Sequence, residues 1–388
     1  MDGLAPNSPI SVAKNLAPDI AARADEIEDA RRLPADIAST MASAGLFRMV
    51  LPETLGGLQT PPAELLQTIE ILARADASVG WCLMIGSTTA LNGAYLPHDV
   101  ASEIFADPDT ITGGVFAPMG KAVSKGDEYI VDGQWKWASG SANCSWLVGG
   151  SVVIEDGTLL TFPDGSPNHR MMIFPREDVE LIDTWNVAGL KGTGSGDIAV
   201  KAARVPKARS VSLIVDKPTV EGALYAFPVF GLLALGIAAV AAGNARAALE
   251  DVKTLATSKK APGAKKSQAE RAAAQIDLAK AEASLRSARA YLFDAVGAAW
   301  DRAEETGQID IELKADLRLA ATHMTRTGAE VCRAAYDMGG GSSVFLDSPL
   351  QRRFRDAHTA TQHMMIAPPT YELTGRVLFG LPTDDKTL

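Results

Sequence analysis

The chain has 388 residues, 47% hydrophobic and 22% charged, the balance of a soluble globular protein long enough for two or three subdomains. A formal net charge of −10 argues against nucleic acid or an anionic membrane surface as the main partner. Three cysteines, Cys82, Cys144 and Cys332, are odd in number and form no CxxC, which argues against a disulfide framework or zinc site and fits a reducing cytoplasm.

Met1 to Pro18 has no basic stretch followed by an apolar core, so no secretory signal is expected. From Asp19 to about Pro108 the pattern is helical. Ile20, Ala24 and Ile27 keep a 3.6-residue rhythm, and Leu33-Pro34 restarts a helix with proline near its first turn. Gly45-Leu-Phe-Arg48 ends that helix, and Leu51 to Gly57 reads as a loop. Pro62 to Ala75 resumes with Leu65, Leu66, Ile69 and Leu72 on one stripe. Ala77 to Tyr95 is apolar and rich in small residues, which suits a buried helix.

Between about Asp109 and Leu213 the rhythm changes to that of a small, mostly antiparallel sheet. Asp132-Gly133 between β-formers predicts a two-residue hairpin turn, and Leu147–Ile154, Met171–Phe174 and Asp197–Val205 read as strands. Long helices return after Gly222, over Ala223–Thr257, Gln268–Glu305, Ile311–Met338 and Thr359–Leu378, in the manner of a four-helix bundle. Ser258 to Ser267 is a basic loop containing Pro and Gly. Ala223 to Ala242 is nearly free of charge and about long enough to span a bilayer. It contains Pro228, lacks an aromatic and basic border, and runs into Asn244 and Arg246, so a helix buried in a bundle or subunit interface is expected. The division is 1–108 helical, 109–213 β, and 214–388 helical bundle, an α+β class.

Two stretches carry chemistry. Asp337-Met-Gly-Gly-Gly-Ser-Ser343 comes after a helix, and its glycines can bring N–H donors close to an anion or simply stop the helix. Arg352, Arg353 and Arg355 come next, then His358 and His363, whose five-residue spacing on a helix would turn them about 140° apart. In Gln134-Trp-Lys-Trp-Ala-Ser-Gly-Ser141, a strand would put Trp135, Trp137 and Ser139 on one face. That face is either a platform for a flat ring or a packing surface for a helical layer. Ala188-Gly-Leu-Lys-Gly-Thr-Gly-Ser-Gly-Asp197 lacks the closing Gly-Lys-Ser/Thr of a phosphate loop and the third glycine of a dinucleotide fingerprint. It reads as a turn of the sheet with Thr193 and Ser195 facing a ligand. No HExxH, GxSxG or paired-carboxylate constellation is present.

Taken together, these residues resemble the acyl-CoA dehydrogenase superfamily, and within it the flavin-dependent monooxygenases served by a separate reductase. The likeness covers nearly the whole chain. It rests on Gly45-Leu-Phe-Arg48 with Pro52, Gly56 and Gly57, on Ser78-Val-Gly-Trp81, on Trp135 to Gly140, on Trp185 to Ser195, and on Arg355-Asp356 with His363. It implies reduced FMN, with FAD as the alternative, between the β region and the bundle of a cytoplasmic homotetramer. Trp81, Trp137 and Ser139 would border the ring, and Thr193 and Ser195 would lie along the cofactor. Arg271 from a neighbouring subunit, with Gly340, Gly341 and Ser342, would take the phosphate. The reductase supplies the flavin, O₂ makes its C4a-hydroperoxide, and an indole-like or phenol-like ring is hydroxylated or epoxidised. His363 would be the acid/base or hydrogen-bond partner, with a pKa near 6.5, and Ser139 would orient the flavin edge. Thr88, Thr89 and Asn92 would line the substrate pocket with His363. The dehydrogenase branch instead implies a glutamate at about Met364, and this neighbourhood has no carboxylate; an FAD-dependent acyl-CoA dehydrogenase is the other reading.

Overall fold

A computed structural model describes residue 5, residues 7–260, residues 265–386 and residue 388. Part of the basic loop expected over Ser258–Ser267 lies outside the described residues. Six helices come first: α1 (Pro9–Ala22), α2 (Ala24–Ala30), α3 (Ala35–Ser43), α4 (Pro62–Ala75), α5 (Ala77–Ala90) and α6 (His98–Ile104). The first begins ten residues before the expected Asp19, at a Ser8 cap whose hydroxyl accepts from the Ser11 amide. The stripe Leu65, Leu66, Ile69 and Leu72 is fully buried, as its spacing predicts.

Arg48 ties this helical layer to the loop that leads into the sheet. It is buried, and its guanidinium donates to the carbonyls of Phe105 (2.6 Å), Asp107 (2.6 Å), Pro108 (2.8 Å) and Leu55 (3.0 Å). A planar five-donor group can satisfy a cluster of loop carbonyls that no single backbone partner reaches.

The sheet consists of β1 (Thr112–Lys125), β2 (Glu128–Trp135), β3 (Trp146–Glu155), β4 (Thr158–Leu159), β5 (His169–Pro175), β6 (Glu180–Ile182), β7 (Asp197–Pro206) and β8 (Ser210–Val211). Their order is β6-β7-β2-β1-β3-β5-β8, with β4 on β3. All pairs are antiparallel except β1 with β3. The hairpin expected at Asp132-Gly133 is not there. β1 and β2 turn instead at Gly126-Asp127, and Asp132 lies inside β2, where the register against β7 shifts between Val131 and Gly133. The Asp132 carboxylate accepts the Ala202 amide at 2.9 Å, closing the bulge.

The C-terminal helices are α7 (Val229–Ser258), α8 (Ala272–Thr306), α9 (Ile311–Gly339), α10 (Pro349–Ala360) and α11 (Pro369–Leu378). The helix expected over Thr359–Leu378 is two pieces, because α10 ends at Ala360 and Pro368-Pro369 starts a new helix. α7 is long and apolar enough to cross a membrane, but 89% of its apolar window is buried inside the protein. It packs on α4, α5, α9 and α10. Its small residues permit close approach: a Cβ on Gly243 would stand 2.2 Å from the Glu70 carbonyl oxygen.

Candidate active site

The site is assembled where α5, the β2 end, the β6–β7 connection and the α10–α11 connection meet. Asp76 caps α5, its carboxylate accepting the Ser78 amide at 2.8 Å and the Val79 amide at 3.1 Å. A turn later, Trp81 Nε1 donates to Ser139 Oγ at 3.0 Å. Ser139 Oγ lies 2.7 Å from Ser195 Oγ, and Ser195 Oγ lies 2.6 Å from Thr193 Oγ1. Thr193 Oγ1 donates to the Leu190 carbonyl at 2.8 Å. Backbone bonds Gly140 N to Thr193 O (2.8 Å) and Ala138 N to Gly196 O (2.9 Å) hold the two loops in this register. Trp81, Ser139, Thr193 and Ser195, separate in sequence, are therefore one buried hydrogen-bonded row.

The three-residue face expected of Trp135, Trp137 and Ser139 does not form. The β2 ladder ends at Trp135, and Trp137 has a left-handed backbone, φ 69°. Trp135 is wholly buried against Phe174, its Nε1 donating to the Gly150 carbonyl at 2.6 Å, whereas Trp137 is 63% exposed. A large side chain in the left-handed region is strained, and such strain clusters where a ligand is held. An exposed indole beside a row of hydroxyls fits a flat, polar-edged ring such as an isoalloxazine.

Leu190 is the pivot of the lower loop. Its φ is 52°, its carbonyl also accepts Trp185 Nε1 at 3.0 Å, and its amide donates to Asp356 Oδ1 on α10 at 2.6 Å. Gly189 is required there because a Cβ would meet the Arg355 carbonyl oxygen at 2.3 Å. Burial, then the nearby Asp76 charge, pushes the Asp356 carboxyl up to about 7. The arginines of this helix are spent internally rather than offered to an anion. Arg352 pairs with Asp25 at 2.5 Å, Arg353 donates to the Arg74 and Ala75 carbonyls at 3.1 and 3.2 Å, and Arg355 pairs with Glu28 at 2.7 Å.

His363 lies just past the end of α10 and caps the short turn Met364–Ile366, its Nδ1 accepting the Met365 amide at 3.2 Å. The proton of the neutral ring therefore sits on Nε2. The ring stands edge-on to Trp81, centroids 5.8 Å apart. Burial, helped by the Arg318 charge, lowers its pKa to about 4, which corrects the expectation of 6.5: this imidazole is neutral across the physiological range. His358 is on α10 itself, packed 4.4 Å from the Phe354 ring, so the two histidines share neither a helix nor an environment.

Thr88 and Thr89 donate to the helix carbonyls of Met84 and Ile85 at 2.8 and 2.7 Å. With Ile85 they are the residues of α5 that are not buried, so the helix opens to a ligand or solvent there. Asn92 Nδ2 donates to the Thr89 carbonyl at 2.7 Å, while its Oδ1 is buried with no partner.

The chain as a whole is similar to known proteins. An acyl-CoA dehydrogenase N-terminal domain family matches residues 11–96, and an acyl-CoA dehydrogenase C-terminal domain family matches residues 235–368. An indole-3-acetate monooxygenase of Pseudomonas putida is 32% identical over 92% of this chain and 90% of its own length. The flavin-dependent monooxygenase oxygenase subunit HsaA of Mycobacterium tuberculosis is 29% identical, covering 97% of each chain. The crystal structure of a 3-HSA hydroxylase from Rhodococcus sp. RHA1 superposes with a TM-score of 0.90 at 27% identity, over 98% of this chain and 99% of that one. The chain belongs to the acyl-CoA dehydrogenase superfamily, in its flavin-dependent monooxygenase branch.

Met364, at about the position where the dehydrogenase branch is expected to carry a glutamate, is apolar and 72% exposed. Arg271 and the Gly340–Ser342 turn lie elsewhere, at the start of α8 and the end of α9. Gly340 adopts φ 54°, ψ −139°, and Lys259 Nζ donates to the Gly339 carbonyl at 2.6 Å, tying the α7 end to the turn. Among the described residues no hydrogen bond links this end to the Ser139 row. None of the described His, Cys, Asp and Glu residues form a group of three placed to hold a metal. Sequence reading missed Asp356 as the anchor of Leu190 and Arg318 as the charge beside His363. Both sit on buried helix faces, where one polar residue in an amphipathic pattern gives no sign of its partner.

Proposed function

We propose that this chain is the oxygenase component of a two-component system that takes reduced FMN from a separate NAD(P)H-dependent reductase and hydroxylates or epoxidises an indole-like or phenol-like ring. The observation that carries this reading is the neutral imidazole of His363, edge-on to the indole bonded to Ser139, beside Met364 where a dehydrogenase needs a carboxylate. The names of the similar monooxygenases support the aromatic substrate class and the divided system.

A reduced flavin bound here would supply the two electrons that activate O₂, one oxygen atom of which goes to the substrate and the other to water. This chain supplies the rest. Trp137 offers a face for the ring, Ser139 fixes its edge, and Thr193 and Ser195 hold Ser139. His363 Nε2–H donates to an oxygen on the substrate side, and its low basicity keeps it from titrating during turnover. The N-terminal half of α5, buried from Ala77 to Met84, excludes water, which protects a reactive oxygen donor. Asn92 Oδ1 accepts an N–H or O–H of the substrate. Arg271 and the Gly340–Ser342 turn serve the flavin phosphate of a neighbouring copy in a cytoplasmic homotetramer, which accounts for their distance from Ser139 within one chain.

The test is to mix the protein anaerobically with reduced FMN and an aromatic panel, then admit ¹⁸O₂. One labelled oxygen atom in a product is expected. Bleaching of bound flavin by an acyl-CoA without O₂, and no labelled product, would sink the proposal.

A further inference from the structure

The proton inventory of the buried hydroxyl row fixes which way each bond points. A hydroxyl has one proton to donate and two lone pairs. Thr193 spends its proton on the Leu190 carbonyl, which cannot donate. The 2.6 Å contact between Thr193 and Ser195 therefore has Ser195 as donor. Ser195 then has no proton for Ser139, so the 2.7 Å contact has Ser139 as donor. Trp81 Nε1–H can only donate, and Ser139 accepts it. The row is thus polarised in one direction, from Trp81 through Ser139, Ser195 and Thr193 to the Leu190 carbonyl. The same sense along every bond reinforces each one in a low-dielectric interior. Ser139 keeps a single free lone pair and has no free proton.

From this we infer that Thr193 and Ser195 are specificity-determining residues that turn Ser139 into an obligate acceptor, and so make the site choose reduced over oxidised flavin. The inference rests on the flavin site proposed above. The two redox states differ at the ring edge in the needed sense: N5 of the reduced isoalloxazine carries a hydrogen, and N5 of the oxidised ring carries only a lone pair. A lone pair facing Ser139 forfeits the bond and adds repulsion, whereas an N–H completes it. An unmade hydrogen bond of this kind corresponds to roughly tenfold to hundredfold in affinity. An enzyme that receives its flavin already reduced and must release it oxidised gains turnover from this asymmetry. A site built to keep one flavin through both states would need a Ser139 free to rotate. Here the rotation is blocked one hydroxyl beyond Ser195, by a threonine proton committed to a carbonyl.

The measurement is the ratio of dissociation constants for oxidised and reduced FMN, by anaerobic titration of tryptophan fluorescence. Wild-type protein is expected to bind reduced FMN at least about tenfold more tightly. Thr193→Val keeps the shape but removes the inner acceptor. Ser195 can then donate to Ser139, and Ser139 can donate outward. Ser195→Ala frees the Ser139 proton directly. In both variants the ratio is expected to fall about tenfold, through tighter binding of the oxidised form. Thr193→Ser keeps the hydroxyl and should keep the ratio. Mere structural damage would weaken both forms together and leave the ratio alone. A ratio unchanged in Thr193→Val and Ser195→Ala, with both flavins bound, overturns this inference and leaves the flavin site standing. Wild-type protein that binds neither form overturns the flavin site and the inference with it. Should Thr193→Val fail to fold, Ser195→Ala against Thr193→Ser decides.

Discussion

The Leu190 amide donates to the Asp356 carboxylate at 2.6 Å across 166 residues of sequence, joining the loop that carries Thr193 to the helix that leads to His363. Asp356→Ala leaves a buried N–H unsatisfied at a left-handed residue, which costs about 1–3 kcal/mol. Asp356→Asn keeps an acceptor and loses the titration. Burial raises the folded pKa to about 7, above the ordinary 3.8, so the native state holds a proton that the unfolded chain has released. Its contribution therefore falls as pH rises from about 4 to about 7. Melting temperatures of wild type and Asp356→Asn should diverge in the variant's favour across that window. Parallel curves would show that the carboxyl is ionised throughout.

How much of this was legible in the sequence depends on which physical signal each part uses. Pro62–Ala75 was readable because four leucine and isoleucine side chains mark one stripe of a helix whose other face is polar. Asp132-Gly133 misled because the pair favours tight turns in general, while Gly126-Asp127 a few residues earlier satisfies the same preference and ends two longer strands. Trp137 was misplaced because the strand's two-residue alternation stops at Trp135, and a left-handed tryptophan has no sequence mark. The hydroxyl row drew residues from three segments, and each segment alone looked like a turn or a helix. Ser139, Thr193 and Ser195 were readable singly as candidate ligand-facing residues and Trp81 through resemblance, but their joining into one row, and its direction, only from interatomic distances.

Trp137 should separate stability from binding. Asparagine tolerates the left-handed region better than tryptophan, and the exposed indole buries little area. Trp137→Asn is expected to match wild type in urea denaturation or exceed it by up to about 1 kcal/mol. Its affinity for reduced FMN should drop about tenfold, the loss of one ring-on-ring contact. A clear loss of stability would make the indole a packing residue instead.

Asn92 is tested with a pair of substrates. Its Oδ1 is buried without a donor, and its own amide is held by the Thr89 carbonyl, so the acceptor cannot rotate away. If an accepted ring has an N–H that reaches it, Asn92→Ala lowers kcat/KM for that ring about tenfold. The N-methylated ring should already be slow in wild type and no slower in the variant. Equal losses for both rings would place Asn92 outside the substrate contact, whatever happens to overall activity.

His363 gives the last prediction, and the sign comes from its depressed pKa. Between about 4 and 6.5 the unfolded chain binds a proton that the folded ring refuses, so the contribution to stability is complete above 6.5 and lost as pH falls. His363→Gln removes that dependence, and its melting temperature should decline less than that of wild type from pH 6.5 to 4. Activity offers the second readout. A ring neutral at every working pH puts no inflection near 6.5 in the kcat profile, and an inflection there would mean that bound ligands restore its basicity. His363→Ala is expected to lower turnover about 10²–10⁴-fold, the range of a positioned proton-handling group. Binding of reduced FMN should be unchanged, because the proposed arrangement gives the Nε2–H to the substrate and the flavin edge to Ser139. A variant that turns over normally would move the substrate proton to another group, with the neighbourhood of Arg318 the next place to look.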